Sequence, residues 1–549
     1  MKRKFTGILI GAIIATLSLA ACANNSNDKA SPSPSQTSDA PASPTGSTDG
    51  KYDPPITLTT VNQSHPTVKY ADGDTVDNNP WTREYEDRYG IKIKSLWSVD
   101  ATQWEQKTNL MIATGDIPDF FQATPVQFKQ LAEADLLHDL SAAYDSAPER
   151  VKSLLNEGGS AALDSARIGG KLLAIPFTGT PKEGAQMIWI RTDWLKKVNL
   201  SEPKTMDDLL KISEAFTTQD PDGNNKNDTF GLAVDNAFST LTGFFNGFHA
   251  YNNIWIKGQD GKLAYSSIQP EMKTALGILQ EMFKNKQIDP EFGSKDFSKV
   301  IESIVSGKIG MFFNSPFSGL YPLQQNIDQD PNAEWKAFPI VSNDAEPAKN
   351  QAALGTIGYW VVKKGTKNPE ALFSMLDMWT EIFYENKDPE INSKFVNDGN
   401  TEIWQMNKIA AYRAFKNTDQ RIKVIKALDS GDTSDLTGDD MGVYDKIQKF
   451  EAGDRSLWGW NAIFGKDGSM GVTDQYRQSN AYLSDEFITS PLTLMSERSA
   501  DMNKIQLETF TKIIFNAAPI DEFDKFVTEW KKRGGDAVTE EVNEWYANR

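Results

Sequence analysis

The chain is almost without cysteine. Cys22 is the single one in 549 residues, which excludes structural disulfides, CxxC redox chemistry and thiolate metal clusters. Histidine is nearly as scarce: His65, His138 and His249 are widely separated, and no zinc-hydrolase, nucleophile-elbow, dinucleotide or P-loop signature occurs. Histidine triads and zinc hydrolysis therefore lack their residues, and the chain is read as a non-enzyme. A paired-carboxylate hydrolase stays open, because 75 acidic residues make some close pair inevitable, and the same abundance singles out no pair. Basic residues number 57, for a formal charge of −18, which argues against a nucleic-acid backbone or an anionic lipid surface as main ligand. Beyond the first twenty-odd residues no apolar run reaches membrane-spanning length. The chain also exceeds what one compact core holds, so two or more lobes are expected.

What is present begins with an export segment. Lys2, Arg3 and Lys4 precede an apolar stretch from Phe5, and small residues lead to Cys22, the pattern of a secretory signal over residues 1–21. Leu19-Ala20-Ala21-Cys22 resembles the lipobox of bacterial lipoproteins, in which the cysteine is acylated, commonly with palmitate, and becomes the first mature residue. Cleavage there removes three positive charges and moves the formal charge from −18 to −21. Residues 22–54 hold no aliphatic side chain larger than alanine and are rich in Ser, Pro, Asp and Thr, so a disordered tether is expected, with folded sequence from about Ile56. The implied location is the extracellular face of the membrane, through a lipid anchor.

The body alternates strand and helix signals. Ile56–Val61 is β-rich, Trp81, Tyr85 and Tyr89 share a helix face that Gly90 ends, and Ile91–Lys94 alternates as a strand. Trp104–Ala113 reads as helix, and Asp119-Phe120-Phe121 resumes an extended run. This order predicts an α/β domain with mainly parallel pairing, and ligands at the strand ends, near Asn62-Gln63-Ser64 and Gln122-Ala123-Thr124. Ile175–Pro181 reads as a crossing between lobes, followed by strands at Met187–Ile190, Ile309–Phe313 and Thr356–Val362. A helix from Pro369 places Leu372, Leu376, Trp379 and Phe383 on one core-facing stripe, and Phe523, Phe526 and Trp530 are core candidates in a mainly helical C-terminal region.

Two features carry chemistry. The run Asp220–Asp228 puts oxygen-bearing side chains at positions 1, 3, 5 and 9 through Asp220, Asp222, Asn224 and Asp228, with the Lys226 carbonyl at position 7. That is the ligand order of a calcium loop, and hard Ca²⁺ prefers such oxygens. Asn225 stands where glycine is usual and Gly231 cannot chelate at position 12, so the expected Ca²⁺ is structural; the alternative is a solvated turn. The second feature is 14 tryptophans, among them Trp360 and the pair in Leu457-Trp458-Gly459-Trp460-Asn461. Rings stack on the C–H faces of sugars while amides bond the hydroxyls, so a cleft with several rings suits a carbohydrate. Trp458 and Trp460, in a segment read as lacking helical period, are assigned to such a cleft over a core position, and Phe317 is evenly balanced.

Ile112-Ala113-Thr114-Gly115-Asp116-Ile117-Pro118-Asp119, Leu173-Ala174-Ile175-Pro176, Ile190-Arg191-Thr192-Asp193-Trp194-Leu195, Pro203-Lys204-Thr205 and Gly307-Lys308-Ile309-Gly310-Met311, with the lipobox and tether, resemble extracellular solute-binding proteins of carbohydrate ABC importers. The set runs in order over most of residues 55–385. The calcium-type loop is similar to that of the alginate-oligosaccharide-binding branch, although Thr229 stands where that branch has an acidic ligand. The resemblance implies a type II periplasmic-binding-protein-like fold: two α/β lobes joined by a hinge, with the ligand cleft between. It implies an oligosaccharide ligand, ABC permease subunits as partners and a monomer. By analogy with maltodextrin-binding relatives, the ligand contacts are Gln63, Gln122, Phe317, Trp458 and Trp460, and Phe177 and Trp360 are further candidate contacts. Expected lobes are 55–178 with about 339–385, and 179–338 with about 386–549. An exported carbohydrate-active enzyme, or a receptor for a peptide or other polar nutrient, is the alternative.

Overall fold

The computed structural model describes residues 50–548 apart from 65–67, 353, 399–400 and 490. The signal segment, Cys22 and the tether up to residue 49 lie outside the described residues. The tether ends sooner than expected. Tyr52 is buried, its N–H donates to the Tyr89 carbonyl at 2.9 Å, and its hydroxyl donates to Glu370 at 2.8 Å. The aromatic ring at Tyr52 is what the composition argument passed over, being one large apolar group among polar ones.

The helix Pro80–Tyr89 starts where the sequence places it, through reciprocal bonds between Asn79 and Thr82, and stops at Gly90 with φ 67°. A Cβ at Gly90 would lie 2.3 Å from the Tyr52 carbonyl oxygen, so both the left-handed turn and the close approach demand glycine there. Strands Ile56–Ser64 and Ile91–Asp100 flank this helix and pair in parallel from Ile56 opposite Ile91. The next strand departs from the expected parallel sheet. Phe120–Ala123 joins a separate antiparallel sheet whose centre is Thr356–Val362 and whose other edge is Ala174–Thr178. Side chains replace the missing ladder to the first strand: Asp119 accepts from the Thr59 N–H at 2.7 Å and from its hydroxyl at 2.6 Å. A second three-stranded antiparallel sheet sets Met187–Arg191 between Met311–Asn314 and Trp335–Phe338.

Two large cores cover these sheets. The first gathers residues from Tyr52 to Ile175 and from Tyr359 to Ala411, including Trp81, Tyr85, Leu372, Leu376 and Trp379, with Phe383 packed at its edge. The second gathers residues from Ala185 to Ala352 and from Val472 to Val542, including Phe523, Phe526 and Trp530. A small third cluster, Val424 to Met470, sits on helices of the returning chain. Packing therefore divides the chain differently from the expected boundaries. Ile340, Val341, Ala348 and Ala352 belong to the second core, and Phe395, Val396, Ile403, Met406 and Ile409 to the first.

The chain passes between cores at 179–184, 354–358 and 412–414. These passages are tied to one another: Gly179 N–H donates to Gly355, and Thr178 and Tyr412 exchange two bonds at 2.8 and 3.1 Å. Ile175–Thr178, read as crossing, is still sheet; the crossing starts at Gly179. Glu183, fully buried in the first passage, accepts from Thr418 N–H and hydroxyl and from Asn417 at 2.6–2.8 Å, which caps the helix Lys416–Ser430. Burial nevertheless pushes its carboxyl above the usual range.

Candidate ligand-binding site

Beside the crossings, the antiparallel sheet of the first core opens into a cavity of about 380 Å³. Gln63 is the penultimate residue of the first strand, Gln122 pairs with Trp360 across the sheet, and Phe177 lies on the far edge opposite Gly358. All four line this cavity, so the register gathers residues more than 290 positions apart. Its remaining wall is a segment that the sequence reading left unassigned: Trp404, Gln405, Asn407, Lys408, Ile409, Ala410 and Tyr412, with Trp104 and Asn62 completing the rim.

The rings are held from behind. Phe177 lies 5.5 Å from both Trp360 and Tyr412. Trp360 donates its indole N–H to the Ala410 carbonyl at 2.8 Å, and Trp404 donates to Glu402. Trp379 supports Trp404 and Tyr412 from the core at 6.4 and 6.1 Å. With their polar edges bonded inward, the rings can offer apolar faces to a ligand. The amides of Asn62, Gln63, Gln122, Gln405 and Asn407 stand beside five rings. Lys408 is the one charged side chain in this wall; its Nζ donates to Asn62 Oδ1 at 2.9 Å.

Phe317 and Trp460 line a second cavity, of about 390 Å³, with Lys416, Asn417, Gln420, Asp439 and Lys446. Lys446 sits 3.6 Å above the Trp460 ring, whose other neighbour is Phe464. Burial would raise the Asp439 carboxyl, but Lys416 at 2.7 Å and Gln420 at 2.8 Å hold it below its usual range. Trp458 lines neither cavity. Its segment is helical, Trp458–Phe464, and its ring packs against the second core. Gly459, in the segment read as lacking helical period, is a contact point: a Cβ there would lie 2.6 Å from the Gly319 carbonyl oxygen.

The Asp220–Asp228 run forms a compact loop. Asp220 accepts from Asn224 and Asn225 N–H at 3.1 and 2.9 Å, and Asn224 Oδ1 accepts from Lys226 N–H at 2.8 Å. The Asn224 amide donates to Asp222 at 2.7 Å and Asp228 at 3.0 Å, drawing positions 3, 5 and 9 onto one point. Asn225 takes φ 59°, as position 6 requires. Partial burial, then contact with Asp220, pushes the Asp222 carboxyl up. Thr229 turns away and donates to the Phe216 carbonyl at 2.7 Å. At Gly231 a Cβ would lie 2.2 Å from the Ser213 carbonyl oxygen, which bars any chelating side chain from position 12. Among the described residues no three His, Cys, Asp or Glu groups converge as a metal site; the side chains that meet in the loop are two carboxylates, Asp222 and Asp228, and the Asn224 amide.

Among the described residues no helix is long and apolar enough to cross a membrane. Lipoprotein LipO of Bacillus subtilis is 22% identical over 491 residues, 86% of this chain and 89% of its own. A fructooligosaccharide ABC transporter substrate-binding protein, FusA of Streptococcus pneumoniae, is 25% identical over 310 residues, 53% of this chain and 56% of its own. The solved structure of FusA with kestose superposes with a TM-score of 0.54 at 19% identity, covering 90% of this chain and 100% of that one; an EF-hand mutant of FusA gives 0.53. A human-milk-oligosaccharide-binding solute-binding protein of Bifidobacterium longum infantis gives 0.59 at 16% identity, covering 91% and 99%. These likenesses carry the two-lobed α/β fold. The family described as bacterial extracellular solute-binding protein matches residues 71–381, more than half of the chain, and the protein belongs to that family.

Proposed function

We propose that the protein captures an oligosaccharide outside the cell and presents it to the permease of an ABC importer, while Cys22 holds it to the membrane through an acyl anchor. The observation that carries this reading is the cavity of five rings and five amides on the first core. FusA, named for fructooligosaccharides, supports the ligand class. A peptide receptor would need charged partners for two termini, and this wall offers Lys408 alone. The lobes are proposed as about 52–178 with 356–412, and 179–355 with 413–548, so that the crossings form the hinge and closure signals occupancy. Gln63, Gln122, Phe177 and Trp360 are proposed as ligand contacts, joined by Trp104, Trp404 and Tyr412; Phe317 and Trp460 would serve the second cavity.

Titration of a neutral and acidic oligosaccharide panel tests this. Trp360→Ala or Trp404→Ala should weaken the sugar that binds by roughly 10- to 100-fold, the worth of one buried ring face. Trp458→Ala should leave affinity within about two-fold. Equal losses in all three, or steady release of reducing ends by pure protein, would sink the reading.

Calcium is proposed for the loop, held by Asp220, Asp222, Asn224, the Lys226 carbonyl and Asp228, where it would brace the helix Met206–Thr218 against the following chain. A relative with an EF-hand supports it. Chelation should lower the melting temperature by a few degrees, since ligand at about 100 Kd contributes about 2.7 kcal/mol. Asp220→Ala with Asp222→Ala should remove that response. Melting indifferent to both chelator and calcium would leave the loop a turn.

A further inference from the structure

Lys408 stands out on three counts. It is 5% exposed, yet it lines the cavity. Its Nζ has one acceptor among the described residues, the neutral Asn62 Oδ1, and no ion pair with a carboxylate. Its direction is fixed from the backbone, where Lys408 N–H donates to Asn407 Oδ1 at 2.9 Å and the Asn407 amide donates to the Ile409 carbonyl. Two donor positions of an ammonium are thus left beside a ring-lined cavity, and among the described residues no carboxylate pairs with it.

The surrounding charges do not fill that role. Asp77 is the carboxylate whose field reaches Lys408, but both its oxygens accept from Ser95 N–H at 3.0 Å. Glu402 accepts from the Trp404 indole and from Asn397, and it does not line the cavity. A buried ammonium without a counter-charge is costly, and ligand binding is the event that can supply one.

We infer that the oligosaccharide taken by this cavity carries a carboxylate, as a uronic acid does, and that the carboxylate seats on Lys408 Nζ. This rests on the oligosaccharide-receptor reading. The rings take the C–H faces of the sugar, the amides take its hydroxyls, and the ammonium takes the one group that neither rings nor amides satisfy. Burial lowers the Lys408 pKa to about 8, so the ammonium is largely retained at neutral pH and a bound carboxylate would strengthen its hold on the proton.

The test is calorimetric titration of the mature protein with oligomers of galacturonic, glucuronic and mannuronic acid, each against its methyl ester and its carboxyl-reduced counterpart. Expected is at least one acid that binds ten-fold or more tightly than its ester. Lys408→Met should bring the acid-to-ester ratio near one, while Lys408→Arg keeps part of the preference. A neutral sugar preferred over every acid, or an acid preference that survives Lys408→Met, overturns the inference and leaves the receptor reading standing. Absence of binding by any charged or neutral sugar overturns both.

Discussion

Trp379→Ala should be among the most damaging single substitutions in the first lobe, costing about 3–5 kcal/mol of stability. The residue is fully buried on the helix Ala371–Thr380, with Phe383 stacked at 4.3 Å and Trp81 at 5.7 Å. Its indole N–H donates to the Ala411 carbonyl at 2.9 Å, so truncation opens a cavity and leaves that acceptor with the longer Tyr384 hydroxyl bond at 3.4 Å alone. The damage should reach the ligand as well, because Trp404 and Tyr412 lean on this ring and Ala411 belongs to the cavity-forming segment. Trp379→Phe should return most of the packing but not the hydrogen bond. Urea midpoints for the three proteins read the first effect, and sugar titration reads the second. A loss under about 1 kcal/mol for Trp379→Ala would mean that the cluster repacks and does not brace the site.

That cluster was half legible beforehand. Leu372, Leu376, Trp379 and Phe383 recur at helical spacing, so their core role follows from local periodicity. Trp404 gave no such signal: it sits in a single turn, Ile403–Met406, and its partner Trp379 lies 25 residues upstream on another element. The helix stop at Gly90 and the turn at Asn225 were readable for the same local reason. Strand partners were not. Thr356–Val362 inserts between Phe120–Ala123 and Ala174–Thr178 after a detour through the second core, and that return path turns an expected parallel sheet antiparallel. Trp458 shows the converse error: its segment was read as lacking helical period, but it is the helix Trp458–Phe464, with Gly459 placed where a neighbouring backbone approaches. Gln405, Asn407 and Lys408 could have been flagged as polar residues interleaved with Trp404 and Tyr412. Their convergence on Gln122 could not.

Lys408→Met should stabilise the unliganded protein at neutral pH. The folded state lowers the Lys408 pKa from 10.5 to about 8, chiefly by desolvation, with Asp77 opposing. A shift of that size corresponds to on the order of 3 kcal/mol against folding. Methionine fills similar volume without the charge, and the lost bond to Asn62 gives back about 1 kcal/mol, leaving a net gain of about 2 kcal/mol. The sign with pH follows from proton counting. Between about 8 and 10.5 the unfolded chain holds the Lys408 proton and the folded one releases it, so wild-type stability from this group rises with pH across that window. The gain in the variant should therefore be full below about pH 8 and fade as pH approaches 10.5. Urea unfolding of both proteins at pH 7 and pH 10 measures it, and a variant less stable at pH 7 would show that Lys408 holds the fold together. A variant more stable but poorer at binding acidic sugar would mean that the chain tolerates a destabilising ammonium because the ligand supplies the missing charge.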